Sequence, residues 1–179
     1  MNQKTLTKVL GCTAALFGIV AFIMMFLAAV STGGDDPTTY TGAELAFGKS
    51  LGSMSLWGQS GETKIVFSFG VLLAYVLPLA SAVLLALAVF TKKQGFKFIF
   101  GCVAFGCFVA GIILLVLVRN MAVCQITTTI LGTTSVSNYH FDDYEMGIGA
   151  ILAIVFAALG ACTAGSYTVL QLLKNGKKR

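Results

Sequence analysis

Charge is what this 179-residue chain has least of: Asp, Glu, Lys and Arg together make up 11% of it, where a soluble domain carries about 25%. That scarcity excludes a water-soluble globule. Hydrophobic residues reach 57% and the mean hydropathy is +0.89, which places the chain in the membrane class. A single histidine excludes bis-histidine haem ligation and the zinc-protease motif within one copy. No asparagine begins an Asn-x-Ser/Thr acceptor, so glycosylation gives no guide. Five cysteines are present, but Cys102 and Cys107 are five apart, neither a redox Cys-x-x-Cys nor a zinc spacing. Cys12, Cys102, Cys107 and Cys162 fall within apolar runs, where thiols behave as small apolar side chains. Cys124 lies outside them and has no loop cysteine to pair with; it is a shielded free thiol or an interchain partner.

Four runs contain no Asp, Glu, Lys, Arg or His: Val9–Gly34, Ile65–Thr91, Phe98–Val118 and Met146–Leu173, of 26, 27, 21 and 28 residues. A bilayer core about 30 Å thick needs roughly 20 apolar residues in a helix. Trimming the first run before its turn-rich exit at Ser31–Pro37 and the second at Phe90 gives expected spans over 9–30, 65–90, 98–118 and 146–173. The expected fold is all-α: one integral membrane domain over 1–179, a four-transmembrane-helix bundle with loops at 31–64, 91–97 and 119–145. The first span is too long for a signal-peptide core of roughly 7 to 15 residues and reads as an uncleaved anchor.

The charges assign the sides. Lys4 and Lys8, Lys92, Lys93 and Lys97, and Lys174, Lys177, Lys178 and Arg179 are nine basic residues with no acid among them. The two long loops hold seven acids against Lys49, Lys64 and Arg119. Because flanking Lys and Arg are retained inside, both termini and the 91–97 link are expected in the cytoplasm, the long loops outside, and the plasma membrane is the expected location. The basic balance then points to anionic lipid headgroups, not nucleic acid.

Helices in lipid associate through small residues that allow close approach. Gly149, Ala153, Ala157, Ala161 and Gly165 recur every four residues and draw one smooth ridge down the fourth span. It reads as a helix-packing face, either within the chain's own bundle or between copies. Pro78 removes a backbone donor in mid-span, the mark of a static kink or a hinge. Thr163, Ser166, Tyr167, Thr168 and Gln171 make the last third of span four more polar, which interhelical hydrogen bonding explains.

In the first long loop Phe47, Leu51, Met54 and Trp57 follow spacings of four, three and three, predicting one face of a short amphipathic helix lying on the membrane or capping the bundle. These are the outer-loop interaction candidates. In the second, Ile126–Leu131, Gly132 and Thr133–Tyr139 predict a strand, a turn and a strand. His140, Asp142, Asp143 and Glu145 are the one clustered set of metal-ligand types, yet Asp142 with Glu145 three residues on is also a relative of the capping box. Capping is the stronger reading, and no metal or cofactor is assigned. Arg119 reads as an interface residue or the partner of a loop carboxylate.

Four spans, cytoplasmic ends, a longer first outer loop and its Leu56–Trp57 pair resemble the claudin-like tetraspan architecture. Ser55 stands where that family has glycine before the pair, and no cysteine follows in the loop, so no functional residue carries over. The expected function is that of a non-enzymatic multi-pass protein, an accessory, scaffold or adhesion-type subunit. It would dock a protein partner or a second copy through its outer loops or small-residue faces. An oligomeric channel or small-solute transporter is the alternative.

Overall fold

The computed structural model describes residues 3–33, 37–56, 59–91 and 93–176. Helix α1 (Gln3–Ile23) runs into a 3-10 turn (Met24–Phe26) and strand β1 (Ala28–Ser31). Next come β2 (Thr39–Thr41), α2 (Gly42–Phe47), β3 (Lys49–Leu56), β4 (Gln59–Val66) and α3 (Phe69–Phe90). Then follow α4 (Gln94–Val116), α5 (Val118–Met121), β5 (Val123–Ile130), β6 (Thr133–His140), β7 (Glu145–Met146) and α6 (Ile148–Gly176).

Among the described residues four helices are long and apolar enough to cross a membrane: Thr5–Phe26, Phe69–Phe90, Gln94–Val116 and Ile148–Lys174. The all-α expectation is overturned by the loops between them. Seven strands among the described residues form two antiparallel sheets, ordered β2-β1-β7 and β3-β4-β5-β6, in a mixed α/β fold. The loops are rich in Ser and Thr and alternate in polarity, which suits a half-exposed strand but adds little to a composition dominated by the apolar runs.

The sheets also shift the span ends. Span one was expected to reach Val30, but Ala28–Ser31 pairs with β2 on one side and β7 on the other. Ile65 and Val66, expected in span two, close β4, and Ser68 caps α3 by accepting from Val71 N–H. Met146, expected to open span four, belongs to β7. The expected Asp142 cap is not formed either, since α6 begins at Ile148 and its first carbonyl acceptor is Gly147.

The long helices pack in cyclic order α1, α3, α4, α6, each mainly against two neighbours. Phe108 of α4 is fully buried where they converge. A Cβ on Gly160 would lie 2.5 Å from its Cε1, and one on Gly18 3.2 Å from its Cζ. Glycine at both places therefore makes room for the ring. Pro78 is wedged between α1 and α4: a Cβ on Gly111 would stand 2.9 Å from Pro78 Cδ, and Gly18 lies against the Pro78 carbonyl. The buried Ser81 hydroxyl is 3.0 Å from both Leu77 O and Ala104 O, bridging α3 to α4.

Candidate functional site

The four-stranded sheet is built of two hairpins, one from each long loop, joined by β4 and β5. Their eight paired residues run from Gln59↔Ile130 to Val66↔Val123 in unbroken register. Eight residues of strand span about 25 Å. Contacts with the rest of the molecule fall mainly at one end, through α2 against β4 and α5 against β6. The strand, turn and strand expected at 126–139 correspond to β5 and β6, which extend to Val123 and His140.

The amphipathic helix expected from Phe47, Leu51, Met54 and Trp57 is not formed. Phe47 ends the short α2, whereas Leu51 and Met54 lie on β3, and Trp57 lies outside the described residues. The register of β3 on β4 slips between Ser50 and Gly52, leaving Leu51 as the extra residue of a bulge. Beyond the bulge, strand alternation replaces the apparent helical period. What does form is α2, whose Thr41–Glu44 capping box has Thr41 Oγ1 accepting from Glu44 N–H while Glu44 Oε2 accepts from Thr41 N–H. Lys49 Nζ pairs with the other Glu44 oxygen. That hydrogen bond, with help from Thr41, holds the Glu44 carboxyl below its ordinary range.

Directly paired residues share a sheet face. One face therefore carries Met54, Ile126, Ile130 and Tyr139 together with Ile65 and Cys124, interleaved with Gln59, Gly61, Thr63, Thr128, Thr133, Ser135 and Ser137. Ile65 is buried at the helix end, and Cys124 is half-buried with its thiol pushed up by burial. Further out, Met54 is 70% exposed, Ile130 46% and Tyr139 56%. The opposite face carries Ser53, Ser55, Glu62, Gln125, Thr127, Thr129 and Asn138, with Gln125 Nε2 donating to Asn138 Oδ1 and Thr129 paired to Thr134. Most of the exposed apolar side chains thus gather on the first face, among hydroxyl residues, while Val136, 52% exposed, stands on the second face of the sheet. At its tip Leu131 has φ +50° and is 88% exposed, beside Gly132 at φ +82°. Two successive positive φ values are the two-residue hairpin turn that favours Asn-Gly. A leucine there is unfavourable both for its backbone and for its hydration.

Arg119 fastens this unit to the bundle. Its Nη1 donates to Tyr144 O at 2.9 Å and its carbonyl accepts from Phe141 N–H at 3.3 Å. It meets backbone and not the loop carboxylate that its charge suggested. Tyr40, Phe141 and Tyr144 pack as an aromatic cluster with centroids 4.9 to 6.2 Å apart. Nothing in the spacing of these three residues announced that cluster, because they come from two loops. Burial raises the Tyr40 phenol. His140, Asp142, Asp143 and Glu145 are all exposed, and among the described residues no three His, Cys, Asp or Glu side chains are grouped to hold a metal ion.

The ridge on α6 turns inward. Gly149, Ala153, Ala157 and Ala161 are buried and Gly165 is half-buried. A Cβ on Gly149 would lie 2.8 Å from Ala28 O, and one on Gly165 3.5 Å from the Phe105 ring. Of the polar residues near the end of α6, Thr163, Ser166 and Thr168 donate to carbonyls of their own helix. Gln171 instead crosses to α4, accepting from Gln94 Nε2 at 3.3 Å.

A scan against protein-family models, a search of curated proteins and a search of solved structures each return no match. The claudin-like likeness accordingly rests on topology and the Leu56–Trp57 pair.

Proposed function

We propose that the chain is a non-enzymatic multi-pass protein of the plasma membrane that docks a protein partner through the outer end of its four-stranded sheet, as an accessory, scaffold or adhesion-type subunit. The observation that carries this reading is the set of exposed apolar side chains Met54, Ile126, Ile130 and Tyr139 on one sheet face, with Leu131 at the tip. Exposed apolar side chains gathered on one side of a soluble part are a feature of interaction sites. A strained, exposed leucine has no folding rationale, which is the pattern of a residue kept for contact. The basic residues Lys8, Lys93, Lys97 and Lys174 lie at the helix ends opposite the sheets. This supports cytoplasmic termini and external sheets by the retention of flanking Lys and Arg. The inward ridge of α6 supports the sheet over helix faces as the docking surface. Phe108 fills the centre of the single-chain bundle, so a channel, the alternative reading, would have to form between copies.

The test is mild-detergent extraction of the tagged full-length chain from its native membrane, with native mass measurement of the complex. A stoichiometric complex lost in Ile130→Asp but retained in the polar-face variant Thr129→Asp supports the sheet. A complex unchanged by both, or none at all, overturns it.

A further inference from the structure

At the basic end of the bundle the helices part around a cavity of about 170 Å³. Three ammonium groups from three different helices line it: Lys8 of α1, Lys97 of α4 and Lys174 of α6. Lys8 at its rim is exposed; Lys97 and Lys174 are half-buried. No carboxylate is among the lining residues. Thr7 and Val89 line it as well, with two deeply buried side chains, Tyr167 at 1% exposure and Gln171 at 2%. The Tyr167 hydroxyl is buried without a hydrogen bond of ordinary geometry, and the polar group that acts on it is the Gln171 side chain beside it. Its ring is held between α1 and α4, since a Cβ on Gly11 would lie 3.4 Å from it and one on Gly101 3.2 Å.

Each of these features opposes folding when the cavity holds only water. Like charges gathered in one partly enclosed cavity repel, and the Tyr167 hydroxyl is left to whatever water the cavity holds in place of a well-placed protein acceptor. Both are relieved by one tetrahedral oxyanion, which accepts from several ammonium groups and from a phenol at once. The volume is several times the roughly 30 Å³ share of one water, enough for a phosphate group. Lysines near the ends of spans place their charges at headgroup depth.

We propose that this cavity binds a single phosphate monoester, held by Lys8, Lys97, Lys174 and the Tyr167 hydroxyl. An anionic lipid headgroup and free phosphate share that chemistry. The inference rests on the helices crossing a bilayer but not on the docking of the sheet, so the two fail separately.

The full-length chain in non-ionic detergent is titrated with dioleoyl phosphatidic acid and, separately, with dioleoyl phosphatidylcholine, and bound lipid is counted by native mass spectrometry. One phosphatidic acid per chain is expected in preference to phosphatidylcholine. Lys97→Gln is expected to weaken it about tenfold, the loss of one charge-assisted bond, and Tyr167→Phe, which keeps the ring, about threefold. Lys93→Gln removes the same charge on the same side but outside the cavity, where Lys93 lies 5.9 Å from the Phe96 ring centroid; it should change binding less than twofold. Ile130→Asp on the sheet should leave it unchanged. Equal retention of the two lipids, or equal weakening by Lys93→Gln and Lys97→Gln, overturns the proposal, the second by showing diffuse attraction in place of a site. Displacement by millimolar inorganic phosphate would identify the phosphate alone as the ligand, whereas resistance would add the acyl chains; either supports the site.

Discussion

The helical bundle and the four-stranded sheet handle apolar surface in opposite ways. In the bundle, glycine and alanine bring the helices close enough to enclose Phe108, Leu85 and Tyr75 completely. In the sheet, Met54, Ile130 and Tyr139 remain more than 45% exposed although they share a face. The apolar side chains left exposed on the bundle, such as Leu16, Ile113 and Phe90, lie on helices apolar enough to cross a membrane, whereas those of the sheet lie outside them. If the sheet docks a partner as proposed, stability and recognition are carried by different residues, and substitutions should separate them.

The largest effect is expected inside the bundle. Gly160→Leu must displace the Phe108 ring and should destabilise the protein by about 3 kcal/mol, the upper part of the range for overpacking, seen as a lowered midpoint of thermal unfolding in detergent. The matched change on the sheet, Ile130→Asp, should leave that midpoint nearly unmoved. A fall of similar size in both would erase the distinction. Next comes the joint between the regions: Arg119→Ala removes a charge-assisted bond to Tyr144 O and should loosen β5 and β6 by about 2 kcal/mol, read as faster amide exchange there with α4 unaffected.

Leu131→Asn sharpens the comparison because its two consequences have opposite signs. Asparagine tolerates the left-handed backbone, so the hairpin should gain about 1 kcal/mol in exchange protection while partner capture falls. Gains in both would remove Leu131 from the contact surface. The smallest effect is the pH response of α2. The Glu44 carboxyl is depressed in the folded chain by Lys49 and Thr41, and a depressed acid contributes stability above its unfolded pKa that is lost as pH falls through the folded one. Protection of α2 should therefore hold from neutral pH down to about the ordinary glutamate value of 4.5 and decline below it. In Lys49→Gln the shift shrinks and the decline should become shallower.

The four long helices were legible because a run such as Phe98–Val118 has no competing signal. The hairpin at 123–140 was legible because Ile126 and Ile130 frame a threonine run with Gly132 at the turn. Strand β3 was not, since the bulge at Leu51 displaces its apolar residues by one position and the spacing of Phe47, Leu51 and Met54 then imitates a helix. Strand β1 was hidden in apolar sequence, where Ala28–Val30 is identified only by partners at Thr39–Thr41 and Glu145–Met146. The basic cavity was invisible for the same reason: Lys8, Lys97 and Lys174 belong to three basic segments far apart in sequence and meet only when α1, α4 and α6 pack.

Strand β1 has one further consequence, for biosynthesis. It is the middle strand of its sheet, and its second partner, β7, directly precedes α6, whose neighbour Gly147 donates its N–H to Ala29 O at 2.8 Å. A ribosome delivers β1 early and β7 only after α3 and α4 have been made. Until then the Val30 edge has no mate, and α1 lacks the helix that covers its other side. The nascent protein must keep that half-built seam away from other chains, so assembly closes last at the junction of its earliest and latest long helices.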